Sequence, residues 1–507
     1  MSDRTEDPID RRTLLRGLGA AGATAGLAGC SLVESNEEPP TETPTETPTE
    51  TPTGRGTPTG TDAEPTPTRR EDIPYVDEYG TVVDLERAGA DPTGKEDIIP
   101  LFEEHAADDT LLYLAEGTYL MADDWLFDDF ERLAIVGPEA TVRPPDGYRR
   151  TMFLFNDGRD LRIEGLTFDF RAESTGARPL NIRIADGMVV RDVTVRGEQD
   201  VDQDMMRFDV MDPDGSGLVE RMHLPDGARR DLPITGCLVT GDSEGSLTFR
   251  DCRIVGFPDN GLYASAATGP VTVEGGYYAN NAIANVRVGD GAVVRDVHVR
   301  ADGLSEKVEN TRGIRLREGT EALVEGCTVE MLEVAASDGA ITVSTHMREA
   351  EIRDTTIRID ADGVAAVLAK SPIDEYEDDD DISTAVTLRN VEITGAAAGV
   401  AAVNVVDRND SRFENLCIQQ TGDSRDGIRL LRSNDNRISD AGIDVTGEAI
   451  VLEESTAETR DVEDTCEATT TTGTASRLAR RGRLTDPRAG TGAVRNGPAT
   501  SRHGTFR

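Results

Sequence analysis

Between Leu161 and Val445 the chain repeats one short pattern: apolar, any, Asp/Asn/Gly, apolar or small, any, apolar. It occurs at residues 163–168, 190–195, 249–254, 294–299, 324–329, 352–357, 388–393, 413–418 and 438–443, with a weaker copy at 273–278. The step between copies is mostly 21–30 residues. A period of that size, with strand-type alternation inside each unit, is the mark of a solenoid. A second track runs between the copies and reads Gly, apolar, any, apolar. It starts at Gly261, Gly313, Gly363, Gly399 and Gly427, and Asn285 keeps the beat without a glycine. Two strands and two turns per repeat, with room for a third strand, make one coil of a right-handed parallel β-helix. One coil cannot bury its own inner face, so coils must stack, each adding about 4.7–4.9 Å. The Asp/Asn/Gly position suits a bend with positive φ. The expectation is an all-β solenoid of roughly ten coils over residues 151–467.

Charge narrows the setting. The 507 residues carry a net charge of −43, with 96 Asp and Glu against 53 Lys and Arg. Lys95, Lys307 and Lys370 are the only lysines. Acid excess with Arg replacing Lys fits a protein soluble in high salt, where self-repulsion is screened. It argues against nucleic acid as a partner, because that binding needs a basic face.

Residues 1–30 read as an export signal. Arg11 and Arg12 in Asp10-Arg11-Arg12-Thr13-Leu14-Leu15-Arg16 resemble a twin-arginine motif. The small-residue run that follows ends Leu27-Ala28-Gly29-Cys30, which resembles a lipoprotein cleavage box. The resemblance implies export, cleavage before Cys30, a lipid on Cys30 and attachment to the outer face of the membrane. With the acidic composition it describes a haloarchaeal surface lipoprotein. Residues 31–70 form a Thr/Pro/Glu-rich stalk, extended by proline and charge.

Residues 71–150 read as an N-terminal α/β cap. The order is Gly89-Ala90-Asp91-Pro92-Thr93-Gly94, then a helix with an apolar side at Ile98, Ile99, Leu101, Phe102 and Ala106. A strand and Gly117-Thr118-Tyr119 follow. This order resembles the start of the pectin-lyase-like β-helix superfamily, in which a short helix plugs the open end of the solenoid. The resemblance covers about residues 80–450 and implies fold more than chemistry, since lyases, hydrolases, esterases, epimerases and adhesins share it. The Gly-His-Gly and Arg-Ile-Lys pattern of its polygalacturonases does not occur, which counts against a pectin hydrolase.

The beat breaks between Val195 and Leu247, which reads as a long excursion with one irregular coil inside it. The six cysteines suggest no framework. Cys30 is assigned to lipid, and Cys252 and Cys327 fall on inward apolar positions. Residues 468–507, with eight arginines against Asp486 alone, read as a basic disordered tail.

Chemistry is expected on the second track. Tyr263, Arg287, Arg315 and Arg429 take its outward position, and Arg317 continues the Arg315 strand on the same face. Lys307 and Arg312 lie in the turn before Arg315, and Asp259 and Asn260 in the turn before Tyr263. Arginine forks bind carboxylates and an aromatic face stacks on a sugar, so the set suits an acidic polysaccharide. For β-elimination, Arg287 or Arg315 would hold the uronate carboxylate, and Lys307, His298 or Tyr263 would move the C5 proton. Asp259 with Glu375 and Asp378 to Asp381 could supply oxygens to Ca²⁺. The bland alternative is that these arginines are surface ion-pair partners, as the alternating Arg250, Glu274, Arg295, Glu325 and Arg353 of the first track suggest. The two function classes are therefore a polysaccharide lyase or hydrolase and a non-catalytic glycan-binding solenoid, in either case a monomer.

Overall fold

The computed structural model describes residues 69–304, 308, 310–373 and 382–466. The signal with Arg11, Arg12 and Cys30, the stalk to residue 68, Lys307, the acidic run 374–381 and the tail lie outside them. Each coil contributes to three parallel sheets. The first sheet starts at Thr81–Asp84 and passes through Thr110–Tyr113, Glu131–Val136 and Arg159–Glu164 on to Ala457–Glu463. The second holds the strands after the Asp/Asn/Gly turn, such as Tyr277–Ala279 and His298–Asp302. The third holds the second track, including Asn260–Ala264 and Ala284–Val288. The result is a parallel β-solenoid of about 13 turns with almost no helix.

The repeat's chemistry explains the winding. Inward residues such as Val190, Phe249, Val294 and Ile352 are fully buried and stack into one core. The turn position has positive φ in every copy: Asp192, Asp251, Asp296, Asp354, Asn390, Asn415 and Asp440, and the glycines Gly165, Gly275 and Gly326. Asp and Asn tolerate this region and glycine enters it freely. Across three coils a second constraint acts. A Cβ on Gly275 would lie 2.4 Å from Asp251 Oδ1, so acid and glycine alternate along the axis. Asn390 Nδ2 instead donates to Asp354 Oδ1 at 2.8 Å, and Asn415 Nδ2 to Asn390 Oδ1 at 2.8 Å. Asp354→Ala is expected to destabilise the fold by about 1–2 kcal/mol, through left-handed strain and the lost bond. Urea denaturation measures it, and an unchanged midpoint contradicts this account of the turn.

The coil count exceeds the ten read from the repeat because two stretches hide copies. The break after Val195 holds the one irregular coil expected inside it, and that coil is part of the stack. Met206–Val210, Ser216–Glu220 and His223–Leu224 form a coil in register with both neighbours. Its turn residue is Arg221, at φ 49°, where the pattern calls for Asp, Asn or Gly. Arg221 Nε and Nη2 each donate at 2.7 Å to the Asp192 carboxylate one coil earlier, so the turn ladder carries an ion pair there. The second stretch is 81–143, where first-sheet strands are apolar on both faces. A strap holding Ile73, Tyr75, Val76 and Tyr79 covers the outward Leu111, Tyr113, Ala134 and Val136. Tyr75 Oη donates to Glu164, and the Arg162 guanidinium lies 4.1 Å from its ring centroid.

The two ends differ. The helix Ile99–His105 buries Ile99 and Phe102 at the first end, with Phe102 5.0 Å from Trp125 and 5.6 Å from Phe153 between ring centroids. At the other end Cys417 and Cys466 form a disulfide across a sequence separation of 49 residues. The spacing of the cysteines did not reveal that pair, because two whole coils separate residues that stacking brings together. Cys237, Cys252 and Cys327 are buried and unbonded.

Candidate functional site

The third sheet brings Leu238, Tyr263, Arg287, Arg315 and Thr342 into one row, each paired in register with the next. Parallel register and alternation put all five side chains on the outer face, stacked at strand spacing. Arg287 lies with its guanidinium 4.0 Å from the Tyr263 ring centroid, and its Nε donates to Ser265 Oγ at 2.8 Å. Arg315 Nε donates to Ser344 Oγ at 3.3 Å, one coil on. Arg317 Nη1 meets His346 Nδ1 at 3.0 Å. Thr342 is buried, and its Oγ1 has no hydrogen-bond partner among the described residues.

The electrostatics set this row apart. Along the first sheet the arginines are neutralised: Arg191 by Glu220 at 2.6 Å, Arg250 by Glu274 at 3.0 Å, Arg353 by Glu325 at 2.9 Å and Arg389 by Glu414 at 3.3 Å. There the bland reading of alternating charge holds. Arg287 and Arg315 have no carboxylate within ion-pair distance among the described residues, although acids outnumber cations almost two to one in the whole chain. Both are half-buried. Burial, and then the charge of Arg317, pulls the Arg287 guanidinium below its ordinary value, against the opposing effect of Tyr263. Burial, followed by Arg312, Arg287 and Arg317, brings Arg315 down to about 9. Like charges one strand spacing apart repel by roughly 3 kcal/mol at an effective dielectric of about 20. A bound anion relieves that repulsion.

The remaining sequence candidates fall in different places. Arg312 is committed to structure: its Nε and Nη2 donate to Asp338 Oδ2 at 3.0 and 2.6 Å, and Lys370 Nζ joins the same oxygen at 2.6 Å. Arg429 is neutralised by Glu453 through two 2.8 Å contacts. Asn260 is fully buried and donates to Asp259, whose carboxylate acts on Arg287 from the preceding coil. The open Tyr263 face expected for a sugar is instead covered on one side by Arg287, because rung spacing suits a stacked guanidinium. His298 sits on the second sheet, 2.9 Å from Glu330 Oε2 and edge-on to Tyr277, apart from the arginine row. Among the described residues no group of three or more His, Cys, Asp or Glu is placed to hold a metal ion, and Asp259 faces Asn260 and Arg287. Ser265, Thr342, Ser344 and His346 belong to the site and were not read from the sequence. Their signal was the repeat offset from the second track, which carries all four to the outer face.

Asp338 anchors the site's edge. Burial pushes its carboxyl up, but Lys370, Asn310 and Arg312 outweigh this and hold it down to about 2. Its folded value is depressed, so its contribution is present above about pH 4 and is lost as pH falls toward 2. After discounting for solvent screening, that contribution is about 1 kcal/mol. Asp338→Asn should flatten the fall in melting temperature between pH 4 and 2, and an unchanged profile would contradict the assignment.

No protein-family model matches the chain. No curated protein matches it either. Among solved structures, the mannuronan C-5 epimerase A-module of Azotobacter vinelandii aligns at 13% identity over 62% of this chain and 96% of its own, with a TM-score of 0.37. A surface adhesin of Streptococcus pneumoniae aligns at 12% over 75% and 100%, TM-score 0.35. The DFA-IIIase of Arthrobacter chlorophenolicus in complex with GF2 aligns at 12% over 78% and 99%, TM-score 0.35. At these identities the likeness is one of architecture alone, the parallel β-helix.

Proposed function

We propose that this protein is an exported, cell-surface β-solenoid that binds acidic polysaccharide along its third sheet. One observation carries the reading: two half-buried guanidiniums in register on adjacent coils, with no carboxylate partner among the described residues of a strongly acidic protein. Neighbouring rungs are about 4.8 Å apart, which suits successive anionic groups on a polymer better than one small ion. Ser265 and Ser344 each take only the Nε donor of their arginine, and the Nη donors of a planar fork suit a carboxylate. Export, with a lipid on Cys30 after the Arg11–Arg12 signal, is supported by the Cys417–Cys466 disulfide, since such bonds persist in oxidising compartments.

Binding is tested by calorimetry in molar salt against uronate-rich and neutral polysaccharides. The reading requires heat with the acidic polymers only. Equal heats with both, or none with either, overturn it. A second reading, β-elimination, draws on the depressed proton affinity of Arg315 beside Arg287 in the same row. In that reading Arg287 holds the uronate carboxylate, a base takes the C5 proton, and the C4–O bond breaks with its electrons leaving on a glycosidic oxygen that is then protonated; Lys307, the base candidate from the sequence, lies outside the described residues. A rise in absorbance near 235 nm together with reducing ends, with or without Ca²⁺, would establish it. Reducing ends alone would mean hydrolysis.

A further inference from the structure

The last coil leaves its core open among the described residues. Ile450 and Leu452 continue the inward row of Ile428 and Leu430, which are fully buried, yet Leu452 is 44% exposed. Ile450–Glu453 and Ala457–Glu463 pair only with the preceding coil, so their outer edges have no strand partner among the described residues. Solenoid ends of this kind need a cover, because apolar core and strand edges otherwise meet water or another chain. At the first end the Ile99–His105 helix supplies one.

This open end is also strongly acidic. Residues 447–466 contain seven carboxylates against Arg460 alone, and Glu448, Glu454, Glu458 and Glu463 are all exposed. A second copy brought end to end would set acid against acid. The chain itself continues from this place: Cys466 is bonded to Cys417 beside the last coil, and 41 residues follow it. Between 468 and 507 those residues hold eight arginines and one acid. Arg477, Arg480, Arg481 and Arg483 cluster first, with Leu478 and Leu484 among them. Ten residues lie between Cys466 and Arg477, a reach of up to about 35 Å, enough to cross the end of one coil.

We propose that the basic segment after Cys466 docks in cis on the open acidic end of its own solenoid. Its arginines meet the carboxylates of residues 447–466, and its leucines cover Leu452. The contact does not depend on the third-sheet arginines, so it stands or falls separately from glycan binding.

The test uses the full chain in moderate salt. R480E/R481E/R483E should speed amide hydrogen exchange in 450–453 and 457–463 at least tenfold. Exchange in the first coil, 81–84 and 110–113, should stay unchanged. In parallel, a photoreactive side chain at position 478 should cross-link to 447–466 of the same chain. Unchanged exchange overturns the proposal. So do cross-links that join two chains in a mixture of labelled and unlabelled protein, or that fall elsewhere.

Discussion

Replacing Arg287 and Arg315 together by alanine should lower affinity for a uronate-rich polysaccharide about a hundredfold while leaving the solenoid folded. Each guanidinium contributes a charge-assisted bond worth about 1.5 kcal/mol at the low end, or roughly tenfold per residue. The decisive companion reading is stability. If the pair were a structural ion-pair element, its loss would lower the unfolding midpoint. In the row described above, the two guanidiniums repel each other and lose hydration through burial, so R287A/R315A should hold or slightly raise the midpoint. Arg429→Ala, on the same sheet but neutralised by Glu453, should change affinity less than twofold and serves as the control. A lower midpoint with unchanged affinity would assign Arg287 and Arg315 to the fold and remove the basis of the functional reading.

The same residues show how far the sequence can be read. Register along a parallel stack follows from the repeat, so Tyr263, Arg287 and Arg315 could be placed in one row from spacing alone. Whether each was neutralised could not, because a partner depends on the coil above or below and on rotamer. Arg429 and Arg315 occupy equivalent outward positions, yet one meets Glu453 and the other Ser344. Arg312 looked like a substrate ligand until Asp338, 26 residues on, came to lie beside it. The fold was legible wherever the turn kept Asp, Asn or Gly. It was hidden at Arg221, where an ion pair accompanies a left-handed arginine, and at Leu111 and Ala134, where a strap buries what alternation predicts to be wet. The Cys417–Cys466 pair was hidden for a related reason: contacts between coils are invisible to any local pattern.

Arg408 yields the largest stability effect expected in the molecule. It follows the third-sheet strand Val403–Val406, and its side chain is fully buried. Nε donates to the carbonyl of Lys370 at 2.8 Å, Nη1 to those of Arg348 and Thr384 at 2.7 and 2.9 Å, and Nη2 to those of Met347 and Ser344 at 3.0 and 3.2 Å. All five guanidinium donors are therefore used, each on backbone. Burial pulls the group down to about 10. A charge so deeply buried is tolerated because five carbonyl dipoles replace its hydration. Arg408→Met fills much of the volume but strands five acceptors, for an expected loss of about 3–5 kcal/mol. Arg408→Lys should recover little of it, since three donors on a flexible stem cannot match a planar fork of five. The consequence reaches the candidate site. Arg408 binds the carbonyl of Ser344, and the hydroxyl of that same serine receives Arg315 Nε. In R408M, hydrogen exchange should therefore accelerate through 339–353 and glycan affinity should fall with it, although Arg408 is too deeply buried to touch a ligand. A variant that keeps its urea midpoint would show that the carbonyls around Arg408 are satisfied by other means, and that the coils from 339 to 412 do not depend on it.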